Sequence, residues 1–275
     1  MTQGMKLRIG AVSCPAEVNN LAANLAVIGN WTKKAAQAGV KLLLFPELSL
    51  TGYATGSAPP TALSSASPAW QAVADLARRY CITLAVGLVW QEDAAKPPYL
   101  AHGLWTPSGQ VHLYCKSHLG EREKKHYAAG DFLPVFALPE ARVGFQLCLE
   151  QHYPEITQTL ALRGAELILC PHATPRLTPA ERRDSWHISL RARAYDNCVY
   201  ILATNMVGDN GQGVEYPGGL LLVDPAGQVV AEDFSGRPAM IVDDIDLSRV
   251  VNVRTTPQGM CRRFYAPSRR PELYE

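Results

Sequence analysis

No metal site or disulfide framework can be read from the cysteines. There are seven, an odd number at irregular spacing, and no two of them form a C-x-x-C pair. A chain that keeps its thiols free is expected to work in a reducing compartment, here taken as the cytoplasm. Long hydrophobic runs are missing too. None approaches the roughly 20 residues that cross a bilayer, so no membrane partner is expected. The first residues, MTQGMKLRIGAVSC, lack the apolar stretch of a secretion signal and read directly as a strand. Charge of one sign is scarce: 26 basic against 25 acidic residues leave a net charge of +1, which gives nucleic acid no field to follow. The basic cluster Arg262, Arg263, Arg269 and Arg270 is interleaved with Glu272 and Glu275 and reads as a solvated or subunit-contacting tail. Linkers and low-complexity segments are also lacking, so residues 1–275 are expected to form one domain.

What the chain does have is a repeated strand–helix rhythm. KLRIGAVS reads as a strand, and Asn19 or Asn20 is placed to cap a helix that runs to about Ala38 and stops at Gly39. KLLLF is a strand apolar on both faces, and a helix from Pro68 to Tyr80 leads into ITLAVGLVW. Pro107-Ser108-Gly109 turns a hairpin. RVGFQLC, YPEITQTLALRG, ELILC, ERRDSWHISLRARAYDN and VYILATN then repeat the alternation. GGLLLVD and QVVAED form a hairpin around Pro225-Ala226-Gly227, and AMIVDDIDL is the last strand. An α/β fold follows, and two halves with one rhythm point to two packed sheets. GDNGQG resembles a phosphate cradle but precedes a strand rather than a helix, so the dinucleotide fingerprint fails. Asn30-Trp31-Thr32 has a glycosylation pattern but lies inside a predicted helix.

Three polar residues stand at the ends of apolar strands, where α/β folds place their sites. Glu47 follows KLLLFP, Lys116 follows QVHLYC, and Cys148 ends RVGFQL. Together they supply a base for a thiol, a cation for developing negative charge, and the thiol itself. Each taken singly is an ordinary surface charge or a core cysteine.

The surrounding segments FPELSLTGY, KSHLGEREKKHYAAGD and VGFQLCLEQHYPE resemble, in order and spacing, the three catalytic blocks of the nitrilase superfamily of carbon–nitrogen hydrolases. RGAELILCPHAT, RARAYDNCVYILATN, GGLLLVDPAGQVVAE and RRPELY also have family counterparts, so the resemblance covers nearly the whole chain. It implies a four-layer α-β-β-α sandwich. It also implies Glu47 as base, Cys148 as the nucleophile that forms a thioester or thioimidate, and a sharp turn at that cysteine. Lys116 and the backbone N–H of Leu149 would hold the oxyanion, and Glu123 would be a second glutamate that positions Lys116 or the substrate. Tyr53, Glu150 and His172 are candidate pocket-lining residues, with a structural bond to backbone as the alternative role for His172. No metal and no cofactor is implied. A homodimer is expected, with the tail from about 260 to 275 reaching a neighbour.

The run from Cys148 to Glu155 is similar to the C-W-D-Q-W-[FY]-P-E pattern of N-carbamoylputrescine amidases, with Leu149 in place of an aromatic residue and Glu150 in place of Asp. Gln151 and His152 stand where carbamoyl-amino-acid hydrolases carry paired arginines, which argues against an acidic substrate. Arg176, Arg182 and Arg183 could still reach the pocket from the CPHATPRLTPAERRD loop, but are read first as exposed charges on a loop and a helix start. The expected activity is therefore a linear amidase or N-carbamoyl amidohydrolase acting on a small neutral or cationic substrate. A nitrilase is the chemical alternative, and a non-hydrolytic thiol sensor or interaction protein on the same fold is the alternative of another class.

Overall fold

The computed structural model describes residues 6–54, 60–255 and 264–274. In chain order the elements are β1 (Lys6–Ser13), α1 (Leu21–Gln37), β2 (Leu42–Leu44), α2 (Pro68–Tyr80), β3 (Thr83–Trp90), β4 (Tyr99–Trp105) and β5 (Val111–Cys115). The second half contains β6 (Phe136–Ala137), β7 (Arg142–Phe145), α3 (Pro154–Leu162), β8 (Leu167–His172), α4 (Pro179–Asn197) and β9 (Tyr200–Asn205). Then come β10 (Val207–Asp209), β11 (Glu215–Pro217), β12 (Leu220–Val223), β13 (Val229–Asp233), β14 (Ala239–Asp246) and α5 (Ser248–Thr255).

Local chemistry sets the helix ends. The Asn20 side chain accepts from the Ala23 N–H at the start of α1, and Gly39 turns the chain out of it at φ +77°. Pro68 opens α2, where its missing N–H costs nothing. Helix α4 starts at Pro179, two residues before the expected Glu181, because Thr178 and Glu181 bond reciprocally across its first turn.

The strands form two six-stranded mixed sheets, ordered β14-β1-β2-β3-β4-β5 and β13-β12-β9-β8-β7-β6, with β10 and β11 as a separate hairpin that carries GDNGQG at its tip. In each sheet three consecutive strands run parallel: β1, β2, β3 in the first and β7, β8, β9 in the second. The last strand, β14, crosses back to pair antiparallel with β1, from Lys6 opposite Asp246 to Ser13 opposite Ala239. The halves are thereby tied together.

Alternation along each strand sorts side chains into layers. Leu42 and Leu44 of β2 pack with Leu167 and Leu169 of β8 between the sheets. Leu43 faces the layer that α1 and α2 build with Ile28, Val73 and Ala77. Ile168 and Cys170 face α3 and α4, against Leu160, Trp186 and Leu190. This is the four-layer α-β-β-α sandwich. Each of these leucines is almost wholly buried and contributes about 1.5–3 kcal/mol by leaving water. Beyond α5, residues 264–274 form two short 3-10 turns, Ala266–Ser268 and Pro271–Leu273, while Arg262, Arg263 and much of the expected contact tail lie outside the described residues.

Candidate active site

The parallel central strands of both sheets end on the same side of the molecule, and the three predicted residues meet there. Glu47 follows β2 in a turn whose Leu48 has φ +55°. That turn lies flat on β3 because position 87 is glycine: a Cβ there would come within 2.2 Å of the Leu48 nitrogen. Lys116 follows β5 and is held by its N–H to the Leu100 carbonyl, 2.8 Å. Cys148 leaves the second sheet with φ +48°, an uncommon conformation for a residue with a Cβ, and opens a 3-10 turn, Cys148–His152. The turn follows β7 by two residues, so RVGFQLC is a shorter strand than its apolar run implies.

The Lys116 Nζ donates to Glu47 Oε1 at 2.8 Å and to Glu123 Oε1 at 2.9 Å. All three side chains are nearly inaccessible to solvent. Glu47 Oε2 accepts the Ala173 N–H at 3.1 Å. Glu123 accepts the Tyr53 hydroxyl at 3.0 Å and the Gly120 N–H at 2.7 Å. The Cys148 Sγ lies 3.1 Å from Thr174 Oγ1.

Burial raises the Glu47 carboxyl above its ordinary range, against the pull of the Lys116 ammonium. For Lys116 burial acts downward, but the surrounding negative charge, Glu47 first, wins and holds its pKa well above the usual lysine value. Burial pushes the Cys148 thiol up to about 11, Glu47 adds to the rise, and Lys116 opposes it. At neutral pH the site therefore holds a firm cation and a protonated thiol beside a carboxylate. The thiol becomes a nucleophile only when a base removes its proton during attack.

The carbon–nitrogen hydrolase family model matches residues 8–255, all but the ends of the chain. The protein belongs to the carbon–nitrogen hydrolase family. An omega-amidase of Mus musculus is 28% identical over 242 residues, covering 84% of this chain and 86% of its own length. A Pseudomonas protegens protein described as a hydrolase in the pqqF 5′ region is 30% identical over 275 residues, 98% of this chain and 91% of that one. Among solved structures, a variant amidase from Nesterenkonia sp. AN1 in complex with acrylamide superposes with a TM-score of 0.81. It shares 25% identity and covers 100% of this chain and 98% of its own. Another structure of that amidase, with TM-score 0.80, 25% identity, and coverage of 100% and 97%, carries the acetamide moiety of fluoroacetamide on its active-site cysteine. The fold is that of the nitrilase superfamily, and the protein is a carbon–nitrogen hydrolase.

Within this hydrolase three expected residues sit differently from one another. Tyr53 is half-buried and bonded to Glu123, at the site. Glu150 is fully buried. Its Oε1 accepts from the Tyr114 hydroxyl (2.7 Å), the Ser117 N–H (2.8 Å) and hydroxyl (2.7 Å) and the His118 N–H (3.2 Å), and its Oε2 takes the Leu147 N–H (2.7 Å). Those donors flank Lys116 on one side and Cys148 on the other, so the carboxylate clamps the two segments together. His172 is buried, with Nδ1 2.9 Å from the Cys170 carbonyl and Nε2 3.2 Å from the Gln151 side chain. Burial, with Arg182 adding to it, keeps its ring neutral.

Leu149, partly buried, directly follows the cysteine as the block order requires. Sequence reading passed over Thr174 and Asn205. Asn205 ends β9, accepts the Thr174 N–H at 2.9 Å and returns its Nδ2 to the Thr174 carbonyl at 3.2 Å, setting the threonine against the thiol. The strand-end rule that found Cys148 applies equally to Asn205. Among the described residues no group of three or more His, Cys, Asp or Glu is placed to hold a metal ion.

Proposed function

We propose that the protein hydrolyses a linear primary amide or an N-carbamoyl compound, releasing ammonia through a thioester on Cys148. The observation that carries this reading is the fully buried Lys116 ammonium bridging Glu47 and Glu123 beside a protonated, partly buried thiol. Glu47 takes the Cys148 proton as Sγ attacks the carbonyl carbon. The oxygen becomes an anion held by the Lys116 ammonium and the Leu149 N–H. Collapse breaks the carbon–nitrogen bond, and the departing nitrogen leaves as ammonia with the proton from Glu47. Glu47 then takes a proton from water, the hydroxide adds to the thioester, and collapse frees the acid and returns the proton to sulfur. Glu123 orients Lys116 and is itself fixed by Tyr53 and Gly120.

The amidase relatives, and the Nesterenkonia amidase whose active-site cysteine reacts covalently with fluoroacetamide, support amide chemistry for this chain. A thiol sensor fits less well: such cysteines are poised as thiolates, whereas burial and Glu47 hold Cys148 protonated. A homodimer belongs to the same reading, supported by Leu162 and Ile188, exposed apolar residues on the outer helices α3 and α4. The test is ammonia release by the purified protein from linear amides, N-carbamoyl amines, N-carbamoyl amino acids and nitriles, with Cys148→Ala as blank. Cys148-dependent release from amides or carbamoyl compounds is the expected result. Release from nitriles alone would replace the reading with a nitrilase.

A further inference from the structure

Arg182 was expected among the exposed charges at the start of α4, and the structure puts it inside. Its neighbour Arg183 is exposed and paired with Glu232 at 3.0 Å. Arg182 is 2% exposed, and its Nε and Nη2 are buried without a hydrogen-bond partner. No described carboxylate pairs with it. Its position adds a second penalty, because the first turn of α4 presents the positive end of the helix dipole. A buried guanidinium with two unmatched nitrogens and no described counter-ion is a costly group to retain. Such a group is kept where a ligand completes it.

The surroundings show where that ligand comes from. The Arg182 guanidinium lies over the Trp186 ring, 5.5 Å from its centroid. Its Cγ would be 3.2 Å from a Cβ placed on Gly219, so a larger residue there would crowd the arginine. Gly218, the preceding residue, gives its carbonyl to Asn205 Nδ2 at 3.2 Å. Asn205 in turn fixes Thr174, whose hydroxyl touches the Cys148 sulfur. Gly219, Gly218, Asn205 and Thr174 thus connect the Arg182 side chain to the nucleophile. Burial lowers the Arg182 pKa below the usual arginine value.

We infer that Arg182 receives the anionic end of the substrate, so that the amide attacked by Cys148 belongs to a small molecule bearing a carboxylate a few atoms away. This rests on the amide reading above and replaces the neutral or cationic substrate expected from Gln151 and His152. A planar guanidinium suits a carboxylate bidentately, and the dry, aromatic-backed setting strengthens the pairing. The helix terminus that opposes the cation alone favours the ion pair once the anion is bound.

The test compares succinamate with butyramide, which match in length and differ in the carboxylate, in the wild type and in Arg182→Met. The wild type should favour succinamate by about 10- to 100-fold in kcat/KM, the range of one charge-assisted contact, and Arg182→Met should erase that preference. Succinate should raise the melting temperature of the wild type and not of Arg182→Met. Without ligand, Arg182→Met should melt at or above the wild-type temperature, since it removes an uncompensated charge. An equal or greater wild-type rate on butyramide would overturn the inference, as would an unchanged preference in Arg182→Met. Should the methionine variant aggregate, Arg182→Lys, which keeps the charge and loses the fork, should fold and show an intermediate preference. Silence on both amides defeats the amide reading instead, and the anion site then stands or falls on the succinate shift, which needs no turnover.

Discussion

Two cations are buried near Cys148, and the protein treats them in opposite ways. Lys116, at the end of β5, is bonded to two carboxylates that its own fold supplies. Arg182, in the first turn of α4, has no bonded acceptor for its buried Nε and Nη2. A cation satisfied within the protein is held in place before substrate arrives, which is what stabilising a transient oxyanion requires. A cation left unsatisfied stores a binding preference that only a complementary anion releases. The first belongs to the reaction and the second to the choice of substrate.

Substitutions separate these roles. Cys148→Ala removes the nucleophile, and ammonia release should fall to background while the thermal transition stays near that of the wild type. Lys116→Met should lower kcat about 100- to 1,000-fold with a much smaller change in KM. It should also cost about 3–5 kcal/mol in denaturant unfolding, because Glu47 and Glu123 are left buried without their cation. A loss confined to KM would make Lys116 a substrate anchor like Arg182 and break the comparison.

Glu150→Gln sharpens it from the carboxylate side. Glu150 serves five donors with two oxygens, and an amide has one oxygen, so at least one donor must face an NH2 group. Stability should drop by about 1–3 kcal/mol, and kcat should fall as the Lys116 and Cys148 segments lose register. Glu47→Gln keeps the acceptor for Lys116 but not the base, so it should cost kcat with little loss of stability.

The smallest effect is on pH. Glu47 must be ionised to take the thiol proton, and its pKa is raised, so activity is lost as pH falls through a limb above the ordinary 4.5 of a carboxylate. The thiol, pushed up to about 11, should add no limb near its usual 9.0. The kcat/KM of a neutral amide checks this without a titrating substrate. A rise through the ordinary thiol range would mean that a free thiolate attacks.

Local pattern made much of this legible. Both faces of Leu42–Leu44 are apolar, so the strand had to be covered twice, and Glu47 had to emerge at its end. Asn20, Gly39 and Pro68 marked helix ends within a residue or two. What local pattern could not carry was pairing between distant segments. The return of β14 to β1 joins residues more than 220 positions apart. The clamp at Glu150 depends on Ser117 and His118 arriving from the other sheet. Arg182 stands in a polar run, ERRD, that reads as solvated, and only the packing of α4 against Gly219, with Trp186 one turn on, turns it inward. The two-residue strand β6 and the helix α5 were too short or too weakly patterned to declare themselves.

The most direct measurement is intact-mass spectrometry of the protein quenched during turnover of a primary amide, in the wild type and in Glu47→Gln. The account predicts an acyl group on Cys148 that forms as ammonia is released and is absent in Cys148→Ala. It should persist longer in Glu47→Gln, where water is no longer activated. Ammonia release with no adduct under either condition, or an adduct on another residue, would contradict the thioester route and remove Cys148 from the centre of the mechanism.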